Sequence, residues 1–154
     1  MRFAIMGFGR FGRALTELLV QRGHDVRAHD PAQIIPGEHV ANSMTAAIDG
    51  AEWIVLAMPV PQMGSAIQTL RPHLHAGQTV IDVGSVKMLP CAMMDEFLGA
   101  DIAHVGTHPL FGPISLARGD RPLRTVICAS DRHPETAARA RQLFVDLGCE
   151  VIDQ

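Results

Sequence analysis

Four short stretches carry residues whose types and spacing suit chemistry. Gly7-Phe8-Gly9-Arg10-Phe11-Gly12 has the spacing G-x-G-x-x-G. Alone the pattern is weak, but between a strand and a helix it acquires a mechanism. Gly7 permits a tight turn, Gly9 lets a pyrophosphate approach the backbone, and Gly12 lets the helix pack on the strand. Free N–H groups at the helix start then face the phosphates, and Arg10 adds a positive charge. Asp30 lies 23 positions after Gly7, near the offset at which a carboxylate meets the adenosine ribose. A carboxylate there accepts from the 2′-OH and repels a 2′-phosphate, so NAD is expected over NADP. Arg27 keeps NADP open. The competing readings are a glycine turn without a ligand and an Asp that merely shapes the turn before Pro31.

The other three stretches sit where strands end. Ala57-Met58-Pro59-Val60-Pro61 forms an apolar exit suited to the adenine–ribose side of a dinucleotide, or simply a helix start. In Asp82-Val83-Gly84-Ser85-Val86-Lys87, Gly84 turns the chain and Ser85 is presented. Ser85 either caps the next helix or hydrogen-bonds a nicotinamide or substrate group. In His104-Val105-Gly106-Thr107-His108-Pro109, His108 sits before a proline, which forces extended backbone. A neutral imidazole at a cleft mouth is a natural general base, though an isolated loop His is usually a surface residue. His104 reads as a strand residue, and His73-x-His75 as surface. His104 and His108 are four apart but not on an expected helix, so no zinc site is expected, and no Gly-x-Ser-x-Gly elbow or Walker loop occurs.

The elements that must position these residues alternate. Strands are expected at Arg2–Met6, Asp25–His29, near Val40, and at Trp53–Met58, Thr79–Val83, Ile102–Val105, Leu123–Ala129 and Glu150–Ile152. That makes eight. Helices are expected at Phe11–Gln21, Ser43–Ile48, from Pro61 onward, Lys87–Leu98 and Pro134–Leu147. A Gly/Pro-rich loop is expected from Gly106 to Pro122. This alternation predicts an α/β fold with a doubly wound, mostly parallel sheet, of the Rossmann type.

Composition agrees. The 154 residues are 47% hydrophobic and 19% charged, enough to build one domain spanning residues 1–154. The formal net charge of −3 argues against nucleic acid or an anionic membrane surface as a partner. No apolar run approaches the roughly 20 residues of a membrane span. Gly7 and Arg10 interrupt the first apolar stretch, so no signal peptide is expected. Three cysteines without CxxC spacing read as free thiols in a reducing cytoplasm.

Taken in order, Gly-Phe-Gly-Arg-Phe-Gly, Asp-Val-Gly-Ser-Val-Lys and Gly-Thr-His-Pro-Leu-Phe-Gly-Pro resemble the prephenate/arogenate dehydrogenase family of tyrosine biosynthesis. The arogenate-type branch is nearest in the His-Pro-Leu-Phe-Gly-Pro stretch. The resemblance spans essentially the whole chain. It implies nicotinamide-dependent oxidative decarboxylation of a cyclohexadienol: prephenate, arogenate or a relative. It assigns the catalytic His to His108, the active-site Ser to Ser85 and the nucleotide loop to Gly7, Gly9 and Gly12. Family members continue into a helical C-terminal domain that dimerises and supplies basic residues for the substrate carboxylates. This chain is expected to lack it, with Arg118, Arg121 and Arg124 near the His108 loop as candidate substitutes. A homodimer through the Gly106–Pro122 surface is expected. Two other readings stand beside this one. One is a stand-alone NAD-binding module, which would need neither Ser85 nor His108. The other is a β-hydroxyacid or imine reductase of the same fold, with Lys87 as its catalytic lysine.

Overall fold

The structure, a computed structural model, describes residues 1–153. Seven strands form one sheet: β1 (Arg2–Met6), β2 (Asp25–His29), β3 (Trp53–Leu56), β4 (Thr79–Asp82), β5 (Ala103–Pro109), β6 (Leu123–Cys128) and β7 (Cys149–Asp153). Their order is β2-β1-β3-β4-β5-β6-β7. All neighbours are parallel except β5 and β6. Six helices connect them: α1 (Arg10–Gln21), α2 (Met44–Ile48), α3 (Val60–Leu70), α4 (Met88–Leu98), α5 (Pro113–Arg118) and α6 (Pro134–Asp146). This is the doubly wound, Rossmann-type α/β fold expected.

The central strands are apolar because both faces are covered. β3 and β4 are buried at every residue. α1 places Ala14, Leu15, Leu18 and Leu19 on one buried face, against Phe3, Ile5 and Val26. α3 and α4 cover the other face with Met63, Ile67, Met94 and Leu98 against Ala4, Ile54 and Leu56. Each buried Leu, Ile, Val, Phe or Met among them contributes about 1.5–3 kcal/mol on burial.

The register aligns the strand ends. Met6 pairs with His29 and Leu56, Leu56 with Asp82, and Asp82 with Gly106. The carboxyl-terminal ends of β1, β2, β3 and β4 therefore share one level with Gly106 of β5, at the edge where ligands of open α/β sheets bind. β5 continues three residues past that level, held by antiparallel β6, with His108 opposite Val126.

Three expectations are corrected here. Val40 makes only an isolated bridge to Ala28, so seven strands form rather than eight. Gly106–Pro109 is strand, not loop, because β6 supplies partners that local sequence cannot reveal. The rest of that expected loop contains α5. Its start is built by Gly112 and Ser115: Ser115 Oγ accepts from the Gly112 N–H and donates to the Gly112 carbonyl, at 2.9 and 3.0 Å. Gly119, at φ +71°, ends it in the left-handed conformation.

Candidate functional site

The glycine loop joins β1 to α1. Gly7 has φ +104°, and a Cβ there would meet the Ala57 carbonyl group at 2.8 Å. A Cβ on Gly12 would lie 2.2 Å from the Gly7 oxygen. Both positions exclude a side chain. Gly9 differs: nothing lies within 4 Å of its Cβ position, so the space above it is open. Gly9 is also the N-cap of α1, with no side-chain cap and no acidic residue in the first turn. The first-turn amides and the positive end of the helix are thus free to meet an anion.

This loop forms one wall of a cleft of about 740 Å³. Gly7, Gly9, Arg10, Phe11, Gly12 and Asp30 line it, and Met58, Pro59 and Gly84 close the far side. Asp30 is fixed by two backbone amides. Its Oδ2 accepts from Phe8 N–H at 2.8 Å and its Oδ1 from Ala32 N–H at 2.9 Å. The Gly7 N–H in turn donates to the His29 carbonyl at 3.0 Å. A diphosphate over Gly9 and a ribose at Asp30 fit this cradle, so the residues suit a dinucleotide.

Three residues expected at the nucleotide, Phe8, Val60 and Ser85, do not line it. The Phe8 side chain is buried in the core under the Arg13 guanidinium, 4.6 Å from its ring centre, so only its backbone serves the loop. Val60 opens α3 but lies outside the lining, where Gln62 and Ser65 of the first two helical turns line the cleft instead. Pro31, Gln33, Met44, Gln62 and Ser65 also line the cleft. None belongs to a motif, and no sequence signal marks them.

Ser85 and His108 meet in an adjoining pocket of about 490 Å³, together with Lys87, Val126, Ile152 and Asp153. Gly84 belongs to the cleft and Ser85 to this pocket, so one turn borders both. His108 therefore sits beside the nucleotide cleft rather than within it. Ser85 is not the cap of α4: the helix starts at Met88, after Lys87, with no side-chain cap. Lys87 donates to the wholly buried Asp82 carboxylate. Burial pushes Asp82 above the ordinary carboxylate range, and the Lys87 ammonium pulls it back.

The candidate arginines are elsewhere. Arg118 pairs with Asp120, Arg124 pairs with Glu150, and Arg121 lines a groove against α1. None lines the His108 pocket. Lys87 is the cation there. His104 is buried in β5, with Nδ1 at 2.9 Å from the Ile102 carbonyl and Nε2 at 2.8 Å from Asp95. No cluster able to hold a metal occurs among the described residues.

Arogenate dehydrogenase 2, chloroplastic, of Arabidopsis thaliana is 28% identical over 165 residues, covering 99% of this chain and 46% of that protein. The crystal structure of Synechocystis arogenate dehydrogenase superposes with a TM-score of 0.81 at 21% identity, over 100% of this chain and 59% of that one. Prephenate dehydrogenase from A. aeolicus, in complex with hydroxyphenyl propionate and NAD+, gives 0.79 at 19% identity, over 100% of this chain and 59% of that one. At these identities the two structures establish the fold. The chain spans about half the length of the curated relatives it matches. Residues 23–151 match the family described as prephenate dehydrogenase, nucleotide-binding domain. That match takes in Asp30, the Asp82–Lys87 turn and the His108 strand, and with the glycine loop before it the chain belongs to this family.

Proposed function

We propose that this chain binds NAD and carries the hydride-transfer site of a prephenate- or arogenate-type dehydrogenase. The observation that carries the reading is Ser85 and His108 sharing a pocket against a cleft already shaped for a dinucleotide. A module that only binds NAD needs the cleft and not the pocket.

In this reading the glycine loop and the α1 amides hold the pyrophosphate, and Asp30 takes the adenosine ribose hydroxyls. Bound NAD supplies a hydride acceptor at its nicotinamide ring. His108 accepts the proton of the ring hydroxyl as the hydride leaves the carbon bearing it, and Ser85 orients that hydroxyl. The C–O bond becomes C=O. The ring carboxylate then departs as CO2, its bonding pair aromatises the ring, and the oxygen regains the proton from His108. A neutral imidazole performs the first step and an imidazolium the last.

Titration with NAD+ and NADP+, followed by assays with prephenate and with arogenate, tests the proposal. Saturable NAD+ binding with turnover of either substrate supports it, and tight NAD+ binding with no turnover of either favours the binding module. Asp30 sets the cofactor preference, because a 2′-phosphate would meet a fixed carboxylate. NAD+ should bind at least about tenfold tighter than NADP+, and Asp30→Ser with Ala32→Arg should reverse the order. Tighter NADP+ binding by the unaltered protein would contradict this role.

The proposed assembly is a homodimer in the cytoplasm. Exposed Leu110 and Ile114 on the β5–α5 segment, with Val86, Met88 and Leu89 before and within α4, supply apolar surface for self-association. Light scattering should show twice the monomer mass at high concentration, and a monomer there would rule the dimer out. Cys91, Cys128 and Cys149 form no disulfide among the described residues, which suits a reducing compartment.

A further inference from the structure

Asp82 stands out in the sheet as a wholly buried carboxylate among apolar neighbours, at the end of β4. Its Oδ2 accepts from the Gly84 N–H at 3.2 Å and from the Lys87 ammonium. Its Oδ1 has no hydrogen-bond partner among the described residues. Its backbone carbonyl accepts from the Thr107 hydroxyl at 2.7 Å, next to His108. One residue thus touches the turn that presents Ser85, the lysine in the pocket and the strand that carries His108.

A buried ion pair is a poor source of stability. Desolvating both charges offsets their attraction, and an apolar pair of similar volume serves packing as well or better. An unpartnered Oδ1 adds to that cost. The surroundings nevertheless make room for the pair. A Cβ on Gly106 would lie 2.7 Å from Cys91 Sγ and in ordinary contact with Lys87 Cδ at 3.4 Å, so the missing side chain leaves room for Cys91 beside the lysine stem. Lys87 has three donors and uses one on Asp82, and its side chain is 16% exposed, on the Ser85–His108 pocket. Salt-bridging fixes the ammonium without consuming its other N–H groups.

We propose that Asp82 is a positioning residue: its carboxylate sets the Gly84–Lys87 turn so that Ser85 and a fixed Lys87 ammonium face His108 in one pocket. The proposal rests on the dehydrogenase reading of that pocket. Asp82 itself lines neither the cleft nor the pocket and acts through its bonds to the Gly84 amide, which precedes Ser85, and to Lys87. The ammonium then stands ready for an anionic group of the substrate or for charge developing on the ring oxygen.

Four forms of the whole chain test this: wild type, Asp82→Asn, Lys87→Met and the double variant. Each is measured for thermal midpoint, NAD+ affinity, the NMR signals of the Ser85 amide and His108 ring, and turnover. Asp82→Asn should displace both signals and lower kcat by about 10–100-fold, with NAD+ affinity within about threefold. The double variant removes both charges and relieves the buried mismatch. It should recover the thermal midpoint while the Ser85 and His108 signals stay displaced and kcat stays low. Recovery of signals and turnover along with stability would overturn the proposal, since the pair would then be packing alone. If Asp82→Asn does not fold, the double variant and Lys87→Met decide by the same signals. Absence of turnover in the wild type would count against the dehydrogenase reading, while the signals of the ligand-free proteins would still decide for or against positioning.

Discussion

His108→Asn should lower kcat by about 10²–10⁴-fold while NAD+ affinity stays within about twofold. Asn keeps the approximate size and a hydrogen-bonding group but cannot take the hydroxyl proton. Nucleotide affinity should survive because His108 lines the pocket beside the cleft and none of the cleft itself. A variant that loses NAD+ binding in step with turnover would return His108 to a structural role. The control must be chosen from the structure. His104→Asn is unsuitable, because His104 is buried, bonded through both ring nitrogens and in edge contact with the His133 ring at 4.6 Å. The hydrogen bond from His104 is also the main reason Asp95 sits below its ordinary carboxylate range. That contribution is present above the unfolded-state value and is lost as pH falls through the folded one, so His104→Asn should lower stability at neutral pH and lose this effect in acid. His73→Asn, on an exposed 3-10 turn, is the neutral comparison.

Gly12→Ala should come close to abolishing nucleotide binding and should destabilise the fold. Its Cβ would sit 2.2 Å from the Gly7 oxygen and 3.1 Å from the Gly7 carbonyl carbon. Both are backbone atoms of the loop itself, so relief requires moving the loop or withdrawing α1 from β1. Overpacking of this kind costs about 1–3 kcal/mol or more, a drop of several degrees in thermal midpoint for a domain of this size. NAD+ affinity should fall by about 100-fold or more, as about 3 kcal/mol of lost phosphate contact would produce. Gly9→Ala separates the two effects. Its Cβ enters open space, so the thermal midpoint should hold while NAD+ binding weakens, because the methyl occupies the phosphate approach. Equal melting points for wild type and Gly12→Ala would contradict the packing described.

The glycine loop is readable from sequence because only glycine tolerates what the backbone does there. Gly7 and Gly12 report steric demands that any observer of the chain can anticipate. Asp30 is readable because strand length and helix length fix its distance from the loop. His108 is identified as a residue, but its surroundings are misread. Gly106 and Pro109 look like strand breakers, yet antiparallel pairing with β6 some twenty residues later makes Gly106–Pro109 a strand. Such pairing leaves no local trace. α5 had signals in Gly112-Pro113, Ser115 and Gly119, which the proline-rich setting obscured. Lys87 is readable as a chemical group, but its pairing with Asp82 becomes apparent only once the fold buries that carboxylate and turns the lysine back onto it. Gln33, Met44, Gln62 and Ser65 reach the cleft through tertiary placement alone.

The hydrogen bond from Phe8 to Asp30 makes the ribose corner and the phosphate loop one mechanical unit. The residue that would discriminate between cofactors is also a strut that holds the loop in shape before any nucleotide arrives. Much of the ordering entropy is therefore spent during folding, and less is charged against binding. Substituting Asp30 to admit a 2′-phosphate also cuts the strut. Both dinucleotides should then bind more weakly and associate more slowly until a second change restores the lost acceptor. Evolution or engineering of cofactor preference in this protein would accordingly proceed through a trough of affinity, unless a new acceptor for the Phe8 amide comes first.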